Sequence, residues 1–94
     1  MKVTMRFFTI LKDITQKNKE EIEVPHATTV EELMLLLSEK YGHQFKSYVY
    51  NQNGQMKPYL QFLVNWINIT ALHGFKTRLK EQDEIAIIPP VSGG

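Results

Sequence analysis

The chain has 94 residues, room for one compact domain, with ordinary globular proportions of apolar and charged residues and a formal net charge of +1. A charge so close to zero gives no bulk attraction to nucleic acid or an acidic membrane, so any partner must be recognised by local features. The absence of cysteine excludes disulfides, thiolate zinc sites, redox dithiols and cysteine nucleophiles, so any sulfur chemistry must use imported sulfur.

No uninterrupted apolar run approaches the ~20 residues of a membrane span, and a soluble, cytoplasmic protein is expected. In chain order, Val3 to Ile10 is rich in β-branched and aromatic residues. Its alternation puts Val3, Met5 and Phe7 on one face and Lys2, Thr4, Arg6 and Phe8 on the other, which predicts a strand. After the polar stretch Thr15 to Lys19, the run Glu21-Ile22-Glu23-Val24 ends at Pro25 and predicts a second strand, hairpin-paired with the first.

Thr28 and Thr29 both read as capping-box starts, because Glu31 and Glu32 follow at the third position, where each can bond the cap's backbone N–H. Val30, Leu33, Met34, Leu37 and Tyr41 recur at helical spacing, and Gly42 stands where a left-handed terminator is needed, so a helix should end near Tyr41. From His43 to Tyr59 the pattern weakens into an elaborated connection. There Phe45, Tyr48, Val49 and Tyr50 fit a short helix or a short strand, and Asn53-Gly54 marks a turn.

Gln61 to Val64 and Ile67 to Ile69 are short strand candidates separated by Asn65-Trp66, which gives a hairpin or a bent strand. Leu79 to Asp83 predicts a polar turn before the last strand, Glu84 to Ile88, in which Ile85 and Ile87 point together and Ile88 points oppositely. The order strand, strand, helix, strand, strand predicts an α+β fold with a mixed sheet packed on one main helix. This is the outline of a β-grasp over residues 1–88, followed by an extended, flexible C-terminal tail at 89–94.

Three stretches resemble the ubiquitin-like sulfur carriers, and most closely the small subunit of molybdopterin synthase. They are Phe7-Phe8 followed by Lys12-Asp13-Ile14, then Val64-Asn65, and finally Asp83 through Gly94. The last is the most specific: a strand running into Pro89-Pro90-Val91-Ser92-Gly93-Gly94 says far more than a terminal Gly-Gly alone. The chain departs from the family's pattern in the longer segment from His43 to Tyr59, in Trp66 at a turn, and in Gln82 where a glycine is usual.

The resemblance implies that an E1-like adenylyltransferase activates Gly94 with ATP and that a sulfurtransferase supplies sulfur. The large synthase subunit then uses the thiocarboxylate to build the dithiolene of molybdopterin from cyclic pyranopterin monophosphate. On that reading the chain binds no cofactor and is not catalytic alone. A second reading is a ubiquitin-like modifier, in which activated Gly94 forms an isopeptide bond with a lysine; archaeal small modifiers share this tail. A third is sulfur delivery for thiamine or transfer RNA thiolation.

The tail suits such chemistry. A free carboxylate is a poor electrophile and needs a leaving group such as AMP, yet the chain has no GxxxxGK[ST] or GxGxxG loop to hold ATP, so an activating partner is implied. Gly93 and Gly94 carry no side chain and can enter a narrow channel, with Val91 and Ser92 as spacers, while Pro89 and Pro90 fix φ and end the sheet. Six extended residues reach on the order of ~20 Å.

Alternation leaves Phe8 and Ile88, with Leu63, on the face opposite Phe7 and Ile87, where a one-helix sheet is open to solvent. That is a candidate docking patch for the activating enzyme and the synthase, with Arg6, Lys12 and Arg78 as orienting charges at its rim. The competing arrangement folds the segment from His43 to Tyr59 over this face. His26, His43 and His73 lack metal-ligand spacing, the paired carboxylates fall at a strand start, a helix cap and a turn, and Trp66 beside Asn65 reads either as an exposed recognition residue or, more often for a lone tryptophan, as cover for the edge of the core. No metal, general acid–base pair or nucleic-acid stripe is indicated.

Overall fold

The computed structural model describes residues 1–89; the expectations for Pro90, Val91, Ser92, Gly93 and Gly94 lie outside them. Five strands form one mixed sheet: β1 (Lys2–Arg6), β2 (Lys19–Glu23), β3 (Gln61–Val64), β4 (Ile67–Asn68) and β5 (Glu84–Ile88), in the order β2-β1-β5-β3-β4. The first and last strands lie side by side and parallel, with Met5 beside Ile85, while β2 pairs antiparallel with β1 and β3 antiparallel with β5. A parallel pair needs a crossover, and the helices supply it on the face where Val3, Met5, Phe62, Val64, Ile85 and Ile87 are buried. Each such side chain contributes about 1.5–3 kcal/mol by leaving water.

β1 is shorter than its alternation predicts. It ends at Arg6, and a helix, α1 (Thr9–Thr15), occupies the place expected for the end of the strand and the loop of a hairpin. Leu11 and Thr15, four residues apart on one face of α1, turn inward and are buried. The antiparallel pairing expected of the first two strands is present, from Lys2 opposite Glu23 to Arg6 opposite Lys19.

The main helix, α2 (Val30–Tyr41), takes Thr29 as its cap: the Glu32 N–H donates to Thr29 Oγ1 at 3.3 Å, and the Thr29 N–H donates to Glu32 Oε1 at 2.9 Å. Thr28 instead donates its hydroxyl to the Pro25 carbonyl at 2.7 Å. Val30, Leu33, Met34 and Leu37 form the buried stripe. Gly42 takes φ 82° and ψ −157°, a conformation essentially reserved for glycine, and there the chain breaks from α2 directly into α3 (His43–Val49).

The open alternative for residues 43–59 resolves into a helix followed by a turn. Phe45 and Val49 of α3 are buried, and the Phe45 ring stacks on Tyr41. After the helix, Asn51 Oδ1 accepts from the N–H groups of Asn53 and Gln55. The segment therefore packs with the helices against the inner face and leaves the outer face of the sheet uncovered.

Leu79 is a correction of a different kind. It belongs to the core, not to a polar turn, because residues 77–79 are stitched to the start of α2: the Val30 N–H donates to the Thr77 carbonyl at 3.0 Å and the Leu79 N–H to the Thr28 carbonyl at 2.8 Å. In the turn that follows, Gln82 adopts φ 70°, which accounts for the glycine usual at this position.

Glu20, opposite Met5 and so on the inner face, ties β2 to the end of α2. Its carboxylate pairs with Lys17 Nζ at 3.2 Å and also takes Lys40 and the Tyr41 hydroxyl. Burial alone raises its pKa, but the bonds from Lys40, Tyr41 and Lys17 together outweigh that and hold it below the usual carboxylate value. The Tyr41 phenol is pushed up to about 12, first by burial and then by its bond to Glu20. Strands wrapped around one main helix, with α3 following its C-terminal end and α1 packed on α3, constitute a β-grasp.

Candidate functional site

Alternation sends every second side chain of the sheet outward. The ladder sets Arg6 beside Ala86 and Ala86 beside Leu63, and places Ile88 opposite Gln61. Two residues beyond the Arg6–Ala86 pair, the same register carries Phe8 alongside Ile88. Phe8 has left the ladder but keeps an extended backbone, at φ −124° and ψ 152°, so it still faces outward. Phe8, Leu63 and Ile88 thus share the outer face, each partly exposed.

The charged residues expected around this patch are distributed unequally. Arg6 lies within it, with Nε 3.0 Å from Glu84 Oε2, an ion pair whose N–H points off the carboxylate rather than a hydrogen bond. Lys12 lies one turn along α1, its N–H 3.4 Å from the Phe8 carbonyl. Arg78 is placed elsewhere: it bridges Thr29 at the start of α2 and lines a cleft beyond β4.

Trp66 takes the less favoured of its two readings, the exposed one. It does not cover the edge of the core. It is 55% exposed, and its ring meets Phe8 edge-on, with centroids 6.3 Å apart. The β3–β4 turn that carries it lies at the start of β5, whereas Phe8 lies at the end of β5, so the two side chains reach toward each other along the outer face. Between those ends Ala86, an outward-facing residue, is only 2% exposed.

Asn65 and Trp66 both have positive φ, 52° and 67°, as a two-residue hairpin turn of type I′ requires. Asn65 suits that conformation and is locked in place: its Nδ2 donates to Asp83 Oδ1 at 2.9 Å, and its Oδ1 accepts the Glu84 N–H at 3.0 Å. Tryptophan does not suit it, since a bulky residue in the left-handed region costs roughly 1–2 kcal/mol. A bulky aromatic held at a strained turn position beside the open face is the signal that could have identified it.

The chain leaves the sheet after Ile88, at the end where Phe8 sits, and Pro89 is partly buried. A tail starting there begins beside the apolar patch. Among the described residues no three histidines or carboxylates gather as metal ligands, and no helix is long and apolar enough to cross a membrane.

Residues 5–94 match the ThiS family. A protein of Archaeoglobus fulgidus named as a sulfur carrier is 30% identical over 78 residues, which span 82% of this chain and 88% of that protein. Small archaeal modifier protein 3 of Haloferax volcanii is 26% identical over 94 residues, covering 100% of both chains. The solution structure of small archaeal modifier protein 1 from Methanosarcina acetivorans has a TM-score of 0.85 at 28% identity, over 99% of this chain and 96% of that one. With its mixed sheet, main helix and family match over nearly the whole length, the chain belongs to the ThiS family of ubiquitin-like sulfur carriers.

Proposed function

We propose that this chain is the sulfur-carrying small subunit of a molybdopterin synthase, working through the carboxyl group of Gly94. The observation that carries the reading is the exit of β5 beside the Phe8, Leu63 and Ile88 face, ahead of Pro89-Pro90-Val91-Ser92-Gly93-Gly94. The family match running through residue 94 supports it. The face docks an enzyme while the tail, stiffened by Pro89 and Pro90, enters that enzyme's active site.

In the first enzyme, an E1-like adenylyltransferase, a Gly94 carboxylate oxygen attacks ATP and pyrophosphate departs. A sulfurtransferase persulfide then displaces AMP at the same carbonyl carbon, and a thiol cleaves the acyl disulfide so formed, leaving a thiocarboxylate on Gly94 and a disulfide on the donor side. In the second, the large synthase subunit, that sulfur bonds to the pterin precursor and water cleaves the resulting thioester, leaving the sulfur on the precursor and Gly94 as a carboxylate. This chain supplies the docking face, the spacer and the reacting carboxyl; the partners supply the nucleotide pocket and the substrate pocket.

Intact mass after coexpression with the adenylyltransferase and sulfurtransferase tests the carrier step, which should appear as one sulfur in place of one oxygen. Adding the large subunit and cyclic pyranopterin monophosphate should then yield molybdopterin. A thiocarboxylated chain that gives no product would refute the synthase assignment and leave the carrier step standing. Protein modification is the second reading, favoured by the two relatives named as modifiers. Gly94-dependent isopeptide conjugates on other proteins, with no thiocarboxylate, would decide for it.

A further inference from the structure

Beyond β4, on the far side from the Phe8 patch, lies a cleft of about 730 Å³ that the carrier reading does not use. Its walls include Val64, Ile67 and Leu72, and the last two remain 49% and 38% exposed. Lys76, Arg78 and Lys80 also line it, together with His73. Lys76 is engaged by Glu31 at 2.6 Å, whereas Arg78 and Lys80 have no ion-pair partner among the described residues. The one carboxylate in the lining, Asp83, is 9% exposed and already accepts from Asn65 Nδ2 at 2.9 Å and the Lys80 N–H at 2.8 Å.

In a chain of formal net charge +1, this is a local excess of unpaired cations around an apolar wall. The geometry points to a second docking site, for a partner protein's segment in which aspartate or glutamate flanks an aliphatic residue. The aliphatic side chain packs on Ile67 and Leu72, and the flanking carboxylates meet Arg78 and Lys80. A protein segment fits better than nucleic acid, because the walls are mainly aliphatic and His73 is the one ring among the lining residues, whereas single-stranded nucleic acid is held by successive aromatic platforms. Charges at such a rim set partner choice and encounter rate. The site is separate from the tail chemistry and stands whether the chain carries sulfur or modifies proteins.

An amide NMR titration of the full chain with the peptide acetyl-Asp-Leu-Glu-Ile-Asp-amide tests it. Expected are saturable shifts clustered at Ile67, Leu72 and residues 78–80, and binding about tenfold weaker in Arg78→Glu with Lys80→Glu. The charge-matched control Lys19→Glu with Lys46→Glu should bind as the parent does. Shifts on the Phe8 face instead, no saturation, equal weakening in the control, or tighter binding of a short oligothymidylate to the same residues would each overturn the proposal. If the double reversal fails to fold, the lysine counterpart of the probe is used on the unaltered chain, where equal binding of both peptides is the refuting result.

Discussion

Trp66→Gly separates what the ring does for the fold from what it does for a partner. In the free chain the change relieves a left-handed non-glycine residue, worth roughly 1–2 kcal/mol. It gives back about 0.5–1 kcal/mol of backbone entropy to the unfolded state, and it removes an edge-on ring contact with Phe8 worth about 0.5–1.5 kcal/mol. These nearly cancel, so stability should move by no more than about 1 kcal/mol. Docking does not cancel. A tryptophan offers on the order of 200 Å², and this one is 55% exposed, so roughly 110 Å² is left for a partner to cover. At ~25 cal/mol per Å² that is about 3 kcal/mol, or up to roughly 100-fold in affinity. Urea unfolding gives the first quantity, and calorimetric titration with the adenylyltransferase gives the second. Unchanged affinity in a folded Trp66→Gly chain would refute the assignment of this ring to the docking face.

Deleting Gly94 should abolish adenylation, read as pyrophosphate release, without changing the unfolding midpoint. Gly42→Ala meets no atom within 4 Å, yet it forces a side chain onto φ 82° and should cost about 1–3 kcal/mol in urea unfolding. Gln82→Gly, at φ 70°, should have the opposite sign and stabilise the fold by up to about 1 kcal/mol. The Glu20 cluster should shape stability at both ends of the pH scale. The lowered Glu20 pKa makes its contribution complete above the ordinary carboxylate range and lost as pH falls through the lowered value. The Tyr41 pKa, raised to about 12 from 10, makes its contribution complete below the ordinary phenol range and lost as pH climbs through the raised value. Glu20→Gln should flatten both limbs in unfolding measured against pH, and phenolate absorbance should show Tyr41 ionising earlier.

The sheet and main helix could be read from sequence because each declares itself by a period. Glu84 to Ile88 alternates, Val30 to Tyr41 repeats at helical spacing, and Thr29 with Glu32 marks the start. Where two periods overlap, local pattern misleads. Phe7-Phe8-Thr9-Ile10 satisfies strand alternation, but Leu11 and Thr15 satisfy helical spacing, and burying them with α3 nearby turns the chain into α1. Leu79 shows a limit of another kind: flanked by polar residues it looks like a turn, and only the pairing of 77–79 with 28–30, distant in sequence, turns it inward.

The site divides along the same line. Phe8, Leu63 and Ile88 come from separate stretches, yet they could be assigned to one face because outward or inward is a matter of parity, and parity survives an error in strand length as long as the backbone stays extended. Phe8 lies past the end of β1 and is still assigned correctly for that reason. In a turn parity has no meaning. Trp66 occupies one, and its direction is set by positive dihedrals and by Asn65's bonds to Asp83 and Glu84, which join positions 18 and 19 residues apart. Arg78 belongs to no strand either, so its side depends on the bridge to Thr29. Trp66 and Arg78, the two surface residues here whose placement departs from expectation, are thus both ones that no ladder orients. Both sit in surface loops, the part of a scaffold that can change while its sheet stays fixed, which is how one β-grasp scaffold can choose different partners.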